Sequence, residues 1–157
     1  MPVNRLKEFL DTNNIKYISI FHSQAYTAQE VAASAHIPGR ELAKTVMVKI
    51  DGKMAMAVLP ASDKVDFSLL QEAAGVSKVE LASEHEFTDL FPGCQIGAIP
   101  PFGNLYEMQV IVDEKLTEEN EIVFNVGSYT ELITLHYDDF KRLVKPCVAR
   151  ISSNNQR

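Results

Sequence analysis

Cysteine is scarce in this chain, and so is every pattern that would give cysteine a structural role. Cys94 and Cys147 are the only two in 157 residues, they stand far apart, and neither belongs to a C-x-x-C pair. Disulfide and zinc frameworks are therefore unsupported, and a reducing cytoplasm fits. Long apolar runs are missing as well. None approaches the ~20 residues of a membrane span, and residues 1–17 carry charges where a signal peptide needs an apolar stretch. Neither membrane insertion nor export is expected. Basic charge is also short: 15 Lys and Arg against 21 Asp and Glu leave a net charge of -6. Non-specific affinity for nucleic acid comes from cations neutralising phosphates, so an acidic chain is repelled at long range. A DNA-binding role is not expected. If the protein handles RNA, it grips a small part such as a single-stranded end, or a partner supplies the basic surface.

What remains is an ordinary globular composition, 46% hydrophobic and 23% charged, at a length that suits one domain with a proper core. Leu6, Phe9 and Leu10 recur at helical spacing and predict an opening helix that ends near Thr12. Residues 17–21 read as a short buried strand. Thr27 and Glu30 form a capping box before a helix that stops at Pro38 and Gly39. Residues 45–50 alternate, Asp51-Gly52 is a type I′ turn pair, and 53–59 pair back as a hairpin. Asp66 caps a helix that Gly75 terminates, and Ser83 with Glu86 caps another that breaks at Pro92 and Gly93. Strands are expected around 95–99, 106–112, 121–124 and 129–135, then a last helix over 138–144. The polar tail 152–157 reads as disordered, which leaves 1–151 as one domain. Helices and hairpins mix without a regular βαβ repeat. The fold class is α+β, with a mixed, largely antiparallel sheet flanked by helices.

Familiar catalytic constellations are missing: no G-x-S-x-G elbow, H-E-x-x-H, Walker loop or G-x-G-x-x-G. His22, His36, His85 and His136 have no close metal-ligand spacing, so each reads as a surface or capping residue, and no metal or cofactor is implied. Cys94 has no histidine motif beside it and reads as a core or loop cysteine. Two features stand out. Lys44 sits where a loop gives way to strand, although a lysine at such a position is commonly just solvated. The other is Gly97-Ala98-Ile99-Pro100-Pro101-Phe102-Gly103, a proline pair flanked by glycines. It is either a plain connection or a stiff loop whose backbone groups can bind a small polar ligand or an oxyanion.

These residues bear a family resemblance. The chain resembles the YbaK/prolyl-tRNA-synthetase-associated editing domains, trans-acting aminoacyl-tRNA deacylases, from about His22 to Leu143. The matching parts stand in the family's order: His22-Ser23, Thr27 to Ala32, Ala43-Lys44-Thr45-Val46, Val58 to Ser62, Leu81-Ala82-Ser83 with Glu86, the 97–103 loop, Val112-Asp113-Glu114, and Phe124 to Ser128. The resemblance implies a compact α+β domain with a strongly curved sheet. It makes Lys44 the essential lysine, holding the 3′-terminal nucleotide and stabilising charge at the ester. Gly97, Ala98, Ile99, Pro100, Phe102 and Gly103 then shape the amino-acid and ribose pocket, and Asn125, Gly127, Ser128 and His22 join its lining. The implied partners are the CCA end of tRNA and prolyl-tRNA synthetase, which can carry the same module as an insertion. No synthetase sequence flanks it here, so a free-standing form is expected.

The implied chemistry needs no nucleophilic side chain. An aminoacyl ester is already activated, and water or the vicinal ribose hydroxyl can attack it. The protein has to position the ester and stabilise the oxyanion, which fixed N–H groups and a cation can do. Lys44 reads as a fixed positive charge rather than a base. Synthetases discriminate poorly between small amino acids, since a methylene is worth only about 1–3 kcal/mol, and a second sieve removes the errors. The rival readings are a non-catalytic module that binds tRNA or a synthetase, and a regulator that kept the fold without the activity.

Overall fold

The structure is a computed structural model and describes residues 2–21, 41–128 and 130–153. The capping box at Thr27 and Glu30, the helix behind it, His22, His36 and Tyr129 lie outside the described residues.

Helix α1 (Pro2–Thr12) runs into β1 (Tyr17–Phe21). The hairpin follows as β2 (Leu42–Ile50) and β3 (Lys53–Pro60), in unbroken register from Ala43↔Pro60 to Ile50↔Lys53. Its turn residues Asp51 and Gly52 sit at φ 53° and 85°. That is the double left-handed geometry of a type I′ turn, which matches strand twist and tolerates few side chains. After β4 (Lys64–Val65), α2 (Phe67–Ala74) starts on the Asp66 carboxylate, which accepts from the Leu69 N–H at 3.1 Å, and stops on Gly75 at φ 67°. Next come β5 (Val79–Leu81), α3 (Glu84–Phe87) behind its Ser83–Glu86 capping box, and a long irregular segment. β6 (Gln109–Asp113), β7 (Glu121–Asn125), β8 (Glu131–His136), α4 (Tyr137–Val144), β9 (Cys147–Ala149) and β10 (Ser152–Ser153) complete the described chain.

The main sheet has the order β1-β8-β7-β2-β3-β6-β9, and β5 adds to β2. It is mixed, as expected: β2–β7, β3–β6 and β6–β9 are parallel and the other described ladders antiparallel. Two cores follow from strand alternation. One face carries Met47, Met56, Val58, Val112, Phe124 and Ile133, packed under Leu6 and Leu10 of α1 and Phe140 of α4. The other carries Val48, Ile50, Ala55, Ala57 and Ile111, packed under Leu70 of α2.

Three expectations need correction. Residues 95–99 form no strand: Gly97 turns the chain at φ 89°, and the prolines that follow cannot donate to a ladder. The strand expected over 106–112 starts at Gln109, because residues 103–106 form a 3₁₀ turn closed by Glu107 at φ 56°. The polar tail does not begin at Ser152. Ser152 and Ser153 pair with Val65 and Lys64, and Ser152 is buried. Residues 154–157 lie outside the described residues.

Candidate active site

The edge of β2 that faces away from β3 is divided between two partners. Leu42 and Ala43 pair with Val123 and Phe124 of β7, whereas Val48 to Ile50 pair with β5. Between them the sheet opens. Three bonds show which backbone groups face the gap. Glu41 C=O accepts from Val123 N–H and Met47 C=O from Ala82 N–H, while Leu42 C=O, one residue out of phase, turns toward β3 and accepts from Ala61 N–H. Odd-numbered β2 residues therefore present their backbone to the opening, and Thr45 stands at its centre. A cavity of about 230 Å³ lies there, lined by Thr45, Val46 and Met47 of β2, Leu81 and Phe87 beyond it, and Ile96, Gly97 and Ile99 at and before the loop.

Lys44 is the last β2 residue before the opening. Side chains alternate along an unbulged strand, so Lys44 lies on the face of Leu42, Val46 and Val48, opposite Thr45 and Met47. It is not part of the cavity lining. One step past the last β2–β7 pair, Asn125 is its neighbour on the same face, because Leu42↔Val123 and Ala43↔Phe124 fix the register. On the other side Lys44 pairs with Leu59, and Val58↔Val112 puts Asp113 next to Leu59. A row of four residues thus crosses β7, β2, β3 and β6 on one face: Asn125, Lys44, Leu59 and Asp113. Neighbouring strands lie about 4.8 Å apart.

The polar members of this row are unusual. Asn125 is 6% exposed, and its side-chain carbonyl oxygen is buried without a hydrogen-bond partner among the described residues. Native structures rarely leave such an acceptor unpaired, since the group loses about 1–3 kcal/mol of solvation. Lys44 is half-buried and forms no ion pair among the described residues. Burial pushes its pKa below the ordinary lysine value; the field of Asp63 acts upward against this, and that of Lys64 downward. Asp113 is fully buried, and its carboxylate accepts from the N–H groups of Ile151, Ser152 and Lys115 at 2.9, 3.1 and 3.1 Å.

The loop and the 125–128 turn are distant in sequence, yet they are bonded to each other. Gly127 N–H donates to Ala98 C=O and Gln95 N–H to Gly127 C=O, both at 2.8 Å. Gly127 holds φ 97°, a conformation that side chains resist. Ser128 Oγ and Thr130 Oγ1 lie 3.0 Å apart, which closes the turn. Since Asn125 adjoins Lys44, the three segments meet where β2 and β7 part.

Within the loop the residues divide. Gly97 and Ile99 reach the cavity, while Ala98 and Pro100 are buried. Phe102 is fully buried, with ring centroids 5.5 Å from Phe124, 5.5 Å from Phe140 and 6.3 Å from Phe9. Gly103 is pressed against β6: an added Cβ would meet Val110 Cγ2 at 2.7 Å and Met108 O at 2.8 Å. Phe102 and Gly103 therefore anchor the loop from inside the core. Cys94 supports it too, its Sγ 3.6 Å from Ala98 O, and burial pushes the thiol up to about 11. A thiol so weakly ionised is a poor nucleophile.

Asp63 was not marked by the sequence reading. It is 3% exposed and accepts from Lys115 Nζ at 2.7 Å and Ser152 Oγ at 2.9 Å. Its only sequence signal is an acid directly after a strand, and this does not distinguish a buried carboxylate from a solvated one. Among the described residues no three His, Cys, Asp or Glu side chains gather as metal ligands, and no helix is long and apolar enough to cross a membrane.

Comparison with known proteins shows the family. Residues 22–143 match the family described as aminoacyl-tRNA editing domain. The chain is 33% identical over 109 residues to the multifunctional Ser/Thr-tRNA deacylase ProXp-y of Escherichia coli (strain K12); the match covers 66% of this chain and 65% of that protein. It is 27% identical over 143 residues to the prolyl-tRNA editing protein ProX of Acetoanaerobium sticklandii, covering 87% and 86%. A solved structure of a candidate trans-editing enzyme for prolyl tRNA synthetase superposes with a TM-score of 0.80 at 19% identity, covering 97% of each chain, a likeness of fold. With 22–143 matched and the same fold, the chain belongs to the aminoacyl-tRNA editing domain family.

Proposed function

We propose that this protein hydrolyses the ester of mischarged tRNA carrying a small amino acid, acting in the cytoplasm on the product of a synthetase error. The observation that supports this best is the pair at the parting of β2 and β7: a half-buried lysine with no ion partner, beside a buried asparagine whose carbonyl oxygen has no donor, both among the described residues. An unpaired cation and an unpaired acceptor are complementary to a substrate that offers both an oxyanion and a donor hydroxyl or ammonium.

In the proposed reaction, water or the vicinal ribose hydroxyl attacks the ester carbonyl carbon. The carbonyl oxygen gains the negative charge, which Lys44 and the backbone N–H groups of Gly97 and Ile99 stabilise in this reading. The bond from the acyl carbon to the ribose oxygen then breaks. Attack by water releases the free amino acid and leaves a ribose hydroxyl on the tRNA. Attack by the neighbouring hydroxyl moves the acyl group across the ribose, and water must still complete the cleavage. His22, Ala98, Pro100, Asn125, Gly127 and Ser128 are proposed to shape the site around the CCA end. ProXp-y is named for serine and threonine and ProX for prolyl-tRNA, so these substrates, with prolyl-tRNA synthetase as partner, are the first to test.

The test is a deacylation screen against tRNAs mischarged with serine, threonine, alanine and cysteine, with and without prolyl-tRNA synthetase. Release of at least one small amino acid is expected. Binding of tRNA with no turnover on any substrate would favour a non-catalytic module instead.

A further inference from the structure

The buried acids on the Lys44 face have no part in the reaction just described, and burying a carboxylate is costly unless it is bonded. Asp63 lies just past the end of β3. Pro60 pairs with Ala43, Ala61 N–H donates to Leu42 C=O at 2.8 Å, and Asp63 N–H donates to Pro60 C=O at 3.0 Å. This turn carries Asp63 around the end of β2 at which Lys44 sits. The carboxylate is then held from two directions, by Lys115 after β6 and by Ser152 of β10. Asp113, in the same row as Lys44, ties down the residues that carry this lock: Ile151, Ser152 and Lys115.

We propose that Asp63 is a positioning residue for Lys44, a buried and immobilised carboxylate that keeps the ammonium charged and oriented beside Asn125, with Lys115 and Ser152 setting how much of its field reaches the lysine. The role rests on the reading that Lys44 acts on the ester. Three observations support it. Asp63 supplies the upward influence on the Lys44 pKa, against burial and Lys64. Its position is fixed by bonds to both ends of the chain segment after β6. Asp63 also forms its own short ion pair with Lys115, so its charge partner is a cation other than Lys44. A lysine bound directly to a carboxylate would be occupied; one held near a carboxylate engaged elsewhere stays charged and available.

Among the described residues the charged groups acting on Lys44 are Asp63 and Lys64, with Asp113 and Lys115 bonded into the same lock, and two variants separate them. Asp63→Asn keeps the shape and the acceptor for Ser152 but removes the charge. Lys115→Met keeps the Asp63 carboxyl group in place and removes its competing cation. Lys44 is followed directly by NMR titration of the ¹³C-methylated protein without substrate, its signal assigned by loss in Lys44→Arg. The titration should move to lower pH in Asp63→Asn and to higher pH in Lys115→Met. The alkaline limb of deacylation should move the same way in each. A merely structural role lowers thermal stability in both variants and displaces the Lys44 titration in neither, and that result would overturn the proposal, as would two shifts of the same sign. If Asp63→Asn does not fold, Lys115→Met decides alone, since its cation is partly exposed and only an upward shift fits. Opposed shifts in a protein that cleaves no mischarged tRNA would leave this coupling standing and refute the deacylase reading instead.

Discussion

Two lysines on one strand have opposite circumstances. Lys49 lies on the side of β2 that meets β5 and α3, where its ammonium touches Glu86 at 2.6 Å and Glu80 at 3.3 Å, and those bonds raise its pKa. Lys44, five residues earlier on the other face, is half-buried, has no such partner among the described residues, and has its pKa lowered by burial. The strand geometry is the same; the surroundings differ. Lys49 is a solved electrostatic problem, so a substrate finds nothing there to complete. Lys44 is an unsolved one, and a ligand that brings negative charge resolves it. That difference, rather than the residue type, marks the candidate site.

The sharpest way to break the comparison is to remove Lys44. Lys44→Ala should lower deacylation by about 10²-fold or more if the ammonium supplies oxyanion stabilisation. It should not lower the melting temperature, because the charge it deletes is poorly compensated in the fold. Equal activity in Lys44→Ala and wild type would remove the lysine from the mechanism.

A second change turns Lys44 into a copy of Lys49. Asn125→Asp places a carboxylate beside Lys44 with little change in shape, so the ammonium acquires a resident partner. We expect deacylation to fall about tenfold, within the range of a hydrogen bond to a charged group, with Lys44 titrating higher. Asn125→Ala should also lose activity but leave the Lys44 titration much less affected. If Asn125→Asp is as active as wild type, the two side chains do not share a substrate.

The comparison itself was only half legible in the sequence. The β2–β3 hairpin was, because alternation and an Asp-Gly turn are local signals, as were the caps at Asp66 and Ser83. The segment 95–99 was not, since apolar residues around Gly97 mimic alternation while their backbone bonds go to Gly127. β9 and β10 are too short to show a period, and their pairing depends on β6 and β4 far upstream. Lys44 and the 97–103 loop carried weak signals by themselves, and the family resemblance singled them out. What made Lys44 chemically distinct was not readable at all. Its neighbours Asn125, Leu59 and Asp113 arrive through parallel and antiparallel ladders, and a parallel pairing leaves no trace in a single sequence. Phe102 shows the converse: an aromatic in the candidate loop looked like pocket lining, and its ring is fully buried among Phe9, Phe124 and Phe140.

The pH dependence sharpens the contrast further. Burial holds the Lys44 pKa below the ordinary 10.5, so the ammonium proposed to act on the ester is lost as pH rises through the lowered value. After subtraction of uncatalysed ester hydrolysis, deacylation should fall at a pH below that of an ordinary lysine. The stability sign is the reverse of a salt-bridged lysine. The unfolded chain holds this proton more tightly than the folded one, so the cost of charged Lys44 is present below its folded pKa and relieved as pH rises toward 10.5. Melting curves of wild type and Lys44→Met should therefore converge as pH rises through that window. Divergence there would mean that Lys44 is stabilised in the folded state.

The smallest expected effect belongs to the other end of the strand. Glu86 accepts from Lys49 and from both the N–H and the hydroxyl of Ser83, at 2.9 and 2.6 Å for the latter two. These bonds, led by Lys49, lower its pKa from 4.5 to about 2. A carboxyl held below its unfolded value contributes stability that is present above 4.5 and lost as pH falls toward about 2. Glu86→Gln should thus flatten the acid side of the stability profile in that window while leaving deacylation at neutral pH unchanged. The pair is solvent-accessible, so its contribution is modest and should shrink as salt is raised. Lys44 predicts a different response to salt: with no ion pair among the described residues to screen, its contribution to folding should change little, while added anions compete for the place of the substrate. A deacylation loss in Glu86→Gln comparable to that of Lys44→Ala would show that both ends of β2 belong to one site, and the contrast between the two lysines would fail.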